Sequence, residues 1–325
     1  MRYLTLFTLL TFPLQALAAS ASPLQLLPGV TIHWATPEEG RKLLASADTF
    51  THQLSAFDRA VRLKQDKPVS PETFLSFVSE QAQEWGESEV EWFRSALKRI
   101  QPSLAHWRLP FPKKILLIKT TGKDEPAPYT RQNAIILPES VVRSGRKPDG
   151  LLAHELFHVL SRNADVDYRS ALYEVLGFQH CGQIDLPPDL APRRITNPDS
   201  PVYTHFIRVQ HEGKSRNVIP ILLSKTSRFD TKDAKPFFSY LEQKLMVIEK
   251  RSGRWIAANV REQALLLEMD NVEQFYEQIG GRRYSVFQPE EILAGHFTSL
   301  VLNLNLPIEQ ELQSKLDRVL KRQED

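Results

Sequence analysis

Up to about His106 the apolar positions of this chain recur at helical spacing. Thr36-Pro-Glu-Glu and Ser70-Pro-Glu each supply a cap, a proline and an acidic first turn, and so each predicts a helix start. Trp85, Val90, Trp92, Phe93 and Leu97 form a core-facing stripe, and Pro110 and Pro112 punctuate its end. The period then changes. Residues 115–118 are a short apolar run bounded by lysines, a buried strand, and a polar loop through Gly122 and Pro126 leads to a second strand at 133–137. Next comes a helix, with Pro148, Asp149 as expected cap and Gly150 at its start, and Leu151, Leu152, Leu156, Val159 and Leu160 on its core-facing side.

Residues 166–176 predict another helix, stopped by Gly177. Five prolines fall between 186 and 201, which predicts a long irregular loop of the kind that is often functional. Residues 203–209, 218–223 and 240–248 are strand-like, 262–268 and 272–278 helical, and 289–302 and 307–321 are closing helices. The fold class is α+β: a mixed or antiparallel sheet beside the helix that begins near Asp149, with an N-terminal helical region and C-terminal helices. The expected divisions are 1–18, a secretory signal peptide; 19–110, the N-terminal helical region; and 111–325, the main domain.

Arg2, the apolar stretch from Leu4 to Leu14 and Ala16-Leu17-Ala18 carry the signal-peptide reading, and no later run is long enough to span a membrane. The expectation is a periplasmic or secreted protein of a bacterial envelope, with no transmembrane segment after signal removal. Forty-one basic against 39 acidic residues, a net charge of +2, give no reason to expect a nucleic acid or an acidic membrane as partner. One cysteine, Cys181, excludes an intrachain disulfide and is expected to be a packed small residue rather than a reactive thiol.

The chemistry concentrates in His154-Glu-Leu-Phe-His158. Residues four apart share a helix face, so both imidazoles can address one zinc ion, and Glu155 can take a proton from a metal-bound water. A third protein ligand is needed. A histidine six residues beyond the second, after a glycine, is excluded, because Ala164 and Ser161 occupy those positions. Two glutamates remain. Glu174 sits on a helix whose apolar residues point elsewhere. Glu291 opens the helix after Pro289, on a stripe with Gly295 and Thr298 and next to Ala294, small residues that would let that helix approach the histidine helix. Tyr203, His205, Tyr284 and His296 are candidate donors to a developing oxyanion.

His154-Glu-Leu-Phe-His158 together with Glu291-Ile-Leu-Ala294 resembles the gluzincin metallopeptidases, whose third ligand opens a Glu-x-x-Ala-Asp segment. The wider wording, from His154 to Arg162 and from Pro289 to Ala294, is similar to exported bacterial metallopeptidase-like proteins without an established substrate. The resemblance implies a zincin-like fold, zinc on His154, His158 and Glu291, Glu155 as the catalytic carboxylate, and a peptide or protein substrate. An edge strand beside the metal helix would pair with extended substrate. The chain departs from the pattern at Gly295, where the family places an aspartate that buttresses a ligand histidine. That departure motivates a second expectation, a catalytically weak or inactive binding protein on the same scaffold. A third is zinc hydrolysis of a non-peptide amide in the envelope.

Overall fold

The computed structural model describes residues 21–284, 286–304 and 310–321. The expected signal peptide lies outside the described residues, as does the start of the closing helix expected from Pro307. The first half runs β1 (Leu24–Leu27), β2 (Val30–Trp34), α1 (Pro37–Leu44), α2 (Thr49–Gln53), α3 (Ala56–Leu63), α4 (Pro71–Ser79), β3 (Ala82–Gln83), α5 (Glu87–Leu104), β4 (Lys114–Thr120), β5 (Tyr129–Arg131), β6 (Ala134–Pro138), α6 (Glu139–Val142), α7 (Asp149–Asn163) and α8 (Val166–Glu174). The second half runs β7 (Phe178–Ile184), β8 (Tyr203–His211), β9 (Lys214–Ser224), β10 (Leu241–Arg251), β11 (Arg254–Ala257), β12 (Asn259–Val260), β13 (Gln263–Ala264), β14 (Leu266–Glu268), α9 (Glu273–Ile279), α10 (Pro289–Val301) and α11 (Gln310–Leu320).

Two sheets and the helices between and around them make a mixed α+β architecture. The first sheet has the order β1-β2-β4-β6-β5, with β2, β4 and β6 parallel and β1 and β5 antiparallel to their neighbours. Both faces are covered. Leu117, Ile135 and Leu137 face α5 and α7, while Leu116, Ile118 and Ile136 face the side that holds Leu44, Phe50 and Phe74. Burial on two faces explains why β4 and β6 are continuous apolar runs rather than alternating ones. The second sheet, β11-β10-β9-β8-β7 with β14 beside β10, is antiparallel. Ile207, Val209, Val218, Leu245 and Val247 join the main core, and Phe206, Ile219, Ile221 and Met246 form a separate cluster on the other face.

Several expectations change here. The region up to residue 110 is not wholly helical: β1 and β2 add onto β4, so the first sheet crosses the expected boundary. Trp92 is exposed on the outer side of α5, although Val90, Phe93 and Leu97 are buried. Residues 262–268 are not helical: after a turn at Glu262 they hold the short strands β13 and β14. Leu266 and Leu267 pair with Met246 and Leu245, and this pairing overrides the helix propensity of a Glu/Leu/Ala segment. Asp149 does not cap α7: Pro148 holds the cap position, and Asp149 instead binds the Arg99 guanidinium through both oxygens at 2.6 and 2.8 Å. Thr36 and Ser70 do cap α1 and α4 through their side chains. No described helix is long and apolar enough to cross a membrane.

Candidate metal centre

Helix α7 runs beneath β6 and β5 and packs against α5 and α10. Its periodicity buries Leu152, Leu156 and Val159, and that rotation leaves His154 and His158 on the side facing α10. Gly150 lies beside Thr298 and Leu302 at the end of α10, where a Cβ would stand at ordinary contact distance, 3.5 Å from Leu302 Cδ1 and 3.8 Å from Thr298 Cγ2. The small residue at 295 has a different purpose. It faces Tyr284, and a Cβ there would come within 2.7 Å of the ring.

The structure brings His154, His158 and Glu291 together, each with a ligand atom within 4.8 Å of the others. Glu291 Oε2 lies 3.3 Å from His154 Nε2 and 3.8 Å from His158 Nε2. Tetrahedral bonds of about 2.0–2.2 Å separate donor atoms by roughly 3.3–3.6 Å, so the trio has near-ligand spacing. Glu174 is exposed on α8 and belongs to neither of the ligand groupings found among the described residues.

Glu290, beside the candidate ligand Glu291, stands behind His158. Its Oε1 accepts from His158 Nδ1 at 3.0 Å, while Oε2 accepts from Ser161 Oγ at 2.7 Å and from the Tyr173 hydroxyl. All four groups are buried. With Nδ1 donating to a carboxylate, His158 turns Nε2 toward Glu291, and Nε2 is buried without a hydrogen-bond partner. An orphaned ring nitrogen costs about 1–3 kcal/mol, a cost that a bound cation removes. The residues therefore fit a metal ion, and zinc suits a His, His, Glu donor set.

Electrostatics point the same way. Burial disfavours a charge on His158, yet the Asp199, Glu291 and Glu290 carboxylates outweigh it and raise its pKa to about 10. Burial alone would raise Glu291, but His158 and His154 hold it down at about 2. Burial pushes Asp199 up to about 7, helped by Glu155 and Glu291 and opposed by His158. Four carboxylates thus surround two imidazoles, an arrangement that demands positive charge, from protons or from a cation. Glu155 is buried, Oε2 accepting from Thr130 Oγ1 at 3.2 Å, and burial raises its pKa against the opposing pull of the two histidines.

No family model matches this chain, and no curated protein or solved structure does either. The site must be read from its own geometry.

Two residues of the proline-rich loop, unforeseen in the sequence, reach into it. Asn197 Nδ2 donates to Glu291 Oε1 at 2.6 Å and to Gln288 Oε1 at 3.0 Å. Asp199 Oδ1 accepts from the Thr130 backbone N–H at 2.7 Å. Thr130 lies on β5, the edge strand next to α7, and Asp199 takes its outward amide. Asp199 also forms a second ligand-like grouping with Glu155 and His158.

Of the four oxyanion candidates, only Tyr284 lines a cavity at this site. His296 is buried, its Nε2 within hydrogen-bond distance of the Tyr284 hydroxyl and the Ile279 carbonyl. His205 is tied to Ser170 and Thr204, and burial and the nearby His180 lower its pKa to about 3. Tyr203 is buried under the Arg194 guanidinium. Cys181 is half-buried, burial pushing its thiol up to about 12, which makes it a poor nucleophile.

Proposed function

We propose that the chain is a zinc-dependent metallopeptidase of zincin-like fold, exported to a bacterial envelope. The observation that carries this reading is the convergence of His154 Nε2, His158 Nε2 and Glu291 Oε2, with the His158 ring fixed by Glu290 and its Nε2 otherwise orphaned. His154, His158 and Glu291 would hold the zinc, which would supply Lewis acidity for activating water and polarising a carbonyl. Glu155, anchored at Oε2 by Thr130, would take a proton at its other oxygen, Oε1, and return it to the leaving amine. Glu290 keeps His158 in the tautomer that presents Nε2.

The non-catalytic scaffold reading drew on the missing aspartate at 295. The Glu290–His158 contact supports the catalytic reading, since Glu290 can steady the ring in place of an aspartate at 295. The test is elemental analysis of the purified chain together with cleavage of a broad peptide library. The expected result is one zinc per chain, activity lost to a chelator and restored by zinc, and a drop of about 10²–10⁴-fold in Glu155→Gln with zinc retained. Activity unchanged in that variant, or no zinc in an otherwise folded protein, would sink the reading.

A further inference from the structure

Two cavities, of about 300 and about 490 Å³, meet at the candidate metal centre, with Leu151, His154, Val286 and Glu291 as common wall. The smaller of them does not end the groove. Its Arg62, Phe237 and Phe238 also line a third cavity of about 520 Å³, which holds none of the candidate ligands. This third cavity lies between the end of α3, the loop after β4 and the long loop from β9 to β10.

The charge changes sign along this path. Besides Glu125, which Arg62 pairs, the smaller cavity carries the Glu155, Asp199 and Glu291 carboxylates. The third cavity has apolar walls in Val61, Pro126, Phe229, Pro236 and the two shared phenylalanines, with Lys64, Lys123 and Lys235 exposed around it. Lys64 and Lys123 have no ion-pair partner among the described residues. The remaining charged groups do not cancel the lysines. Arg62 is matched by Asp58 and Glu125. Asp124 is buried and accepts from the Tyr129 hydroxyl at 3.0 Å, and burial pushes its carboxyl up toward the neutral form. Asp66 and Asp230 accept from Thr231 Oγ1 and the Lys232 amide, and neither lines the cavity.

Resting on the peptidase reading, we infer that the third cavity recognises an acidic stretch of the polypeptide substrate, a few residues away from the bond that is cut. A chain lying in the smaller cavity continues past Phe237 and Phe238 into a surface where an apolar side chain finds cover and carboxylates find lysines. The same carboxylates shifted to the metal centre would face Glu155 and Asp199, so repulsion at one end and attraction at the other set the register. An anionic lipid shares the apolar and anionic chemistry. The wall in common with the metal-centre cavity favours the chain that reaches that centre.

The test uses zinc-loaded Glu155→Gln protein and decapeptides blocked at both ends, with binding read by calorimetry. The peptides differ only in a Glu-Glu or Gln-Gln pair, placed on either side of a central phenylalanine in turn. On one side, the glutamate peptide should bind about three- to tenfold tighter at low ionic strength. The gap should close in about 0.5 M salt. Lys64→Glu with Lys123→Glu, two changes at exposed side chains, should invert the order. Equal affinities at low salt overturn the inference, as does a preference that the charge reversal leaves intact. Binding to phosphatidylglycerol vesicles that the glutamate peptide does not displace overturns it too, and assigns the lysines to a lipid surface. The peptidase reading fails separately, when the glutamate preference holds but the wild-type protein cleaves neither peptide. It stands when cleavage lost in Glu155→Gln accompanies equal affinities.

Discussion

The two histidines of α7 are one helical turn apart and live in different worlds. His158 is sealed: its Nδ1 is held by Glu290, which is held in turn by Ser161 and Tyr173, all of them buried. His154 is about a third exposed, borders both cavities and has Glu291 as its ion-pair partner. The difference separates two tasks. On the proposed function, the sealed end would fix where a metal sits, and the open end would be where a substrate reaches it. Precision comes from the buried carboxylate behind the site, and access from the side that was left without one.

The comparison can be broken from the sealed end first. His158→Ala should abolish stoichiometric zinc uptake, measured by elemental analysis after dialysis against limiting zinc. Glu290→Ala should follow, weakening zinc affinity about 10–100-fold in competition with a chromogenic chelator. It should also destabilise the fold by roughly 1–3 kcal/mol, since His158, Ser161 and Tyr173 all lose a buried partner. Retained affinity in that variant would show that the ring needs no buttress. At the open end, Asp199→Ala frees the Thr130 amide and part of the proline-rich loop's anchorage, so nicking between residues 186 and 201 by an added protease should accelerate several-fold. Zinc uptake at saturation should persist.

The smallest effect on zinc should come from a control far from the site. Glu89 binds the buried Lys119 at 2.8 and 2.9 Å, with Arg143 beside it. Burial opposes its charge, but the bonds from Lys119, the Gly86 amide and Arg143 prevail and lower its pKa below the usual 4.5. A depressed carboxylate stabilises the folded state above its unfolded pKa, and that contribution is lost as pH falls through the folded value. Glu89→Gln strands the Lys119 charge and should cost about 3–5 kcal/mol near neutral pH. The gap in melting temperature from wild type should shrink as pH drops below about 4.5, with zinc affinity unmoved throughout.

The parts of this site legible in the sequence are those that follow from period. The alternation between helix and strand patterns found β4, β6, β8, β9 and β10, and the four-residue spacing put His154 and His158 on one face. β2 is held by pairing with the distant β4, which no local signal reveals; β1 then adds to it across the short turn at Pro28 and Gly29, and β14 adds to β10. Glu291 is legible as a carboxylate at a helix start with small neighbours, though Gly295 of that stripe faces Tyr284. Glu290 was missed because it looks like any acidic residue in a first helical turn. The signal lay in its partners: Ser161 one turn beyond His158, and Tyr173 on the following helix. Asn197 and Asp199 belong to a loop without period, and only the folded chain delivers them.

The contact between Gly295 and Tyr284 has a consequence for how such sites are recognised and repaired. A designer wishing to restore the conventional pattern would write Gly295→Asp, yet the new side chain would collide with a tyrosine that is hydrogen-bonded to His296. It would also duplicate a job that Glu290 already performs. The two ways of steadying a ligand histidine are alternatives, and moving from one to the other takes coordinated changes at several positions. If His154, His158 and Glu291 hold a metal, what identifies the site is the carboxylate behind the buried histidine rather than an acid at 295.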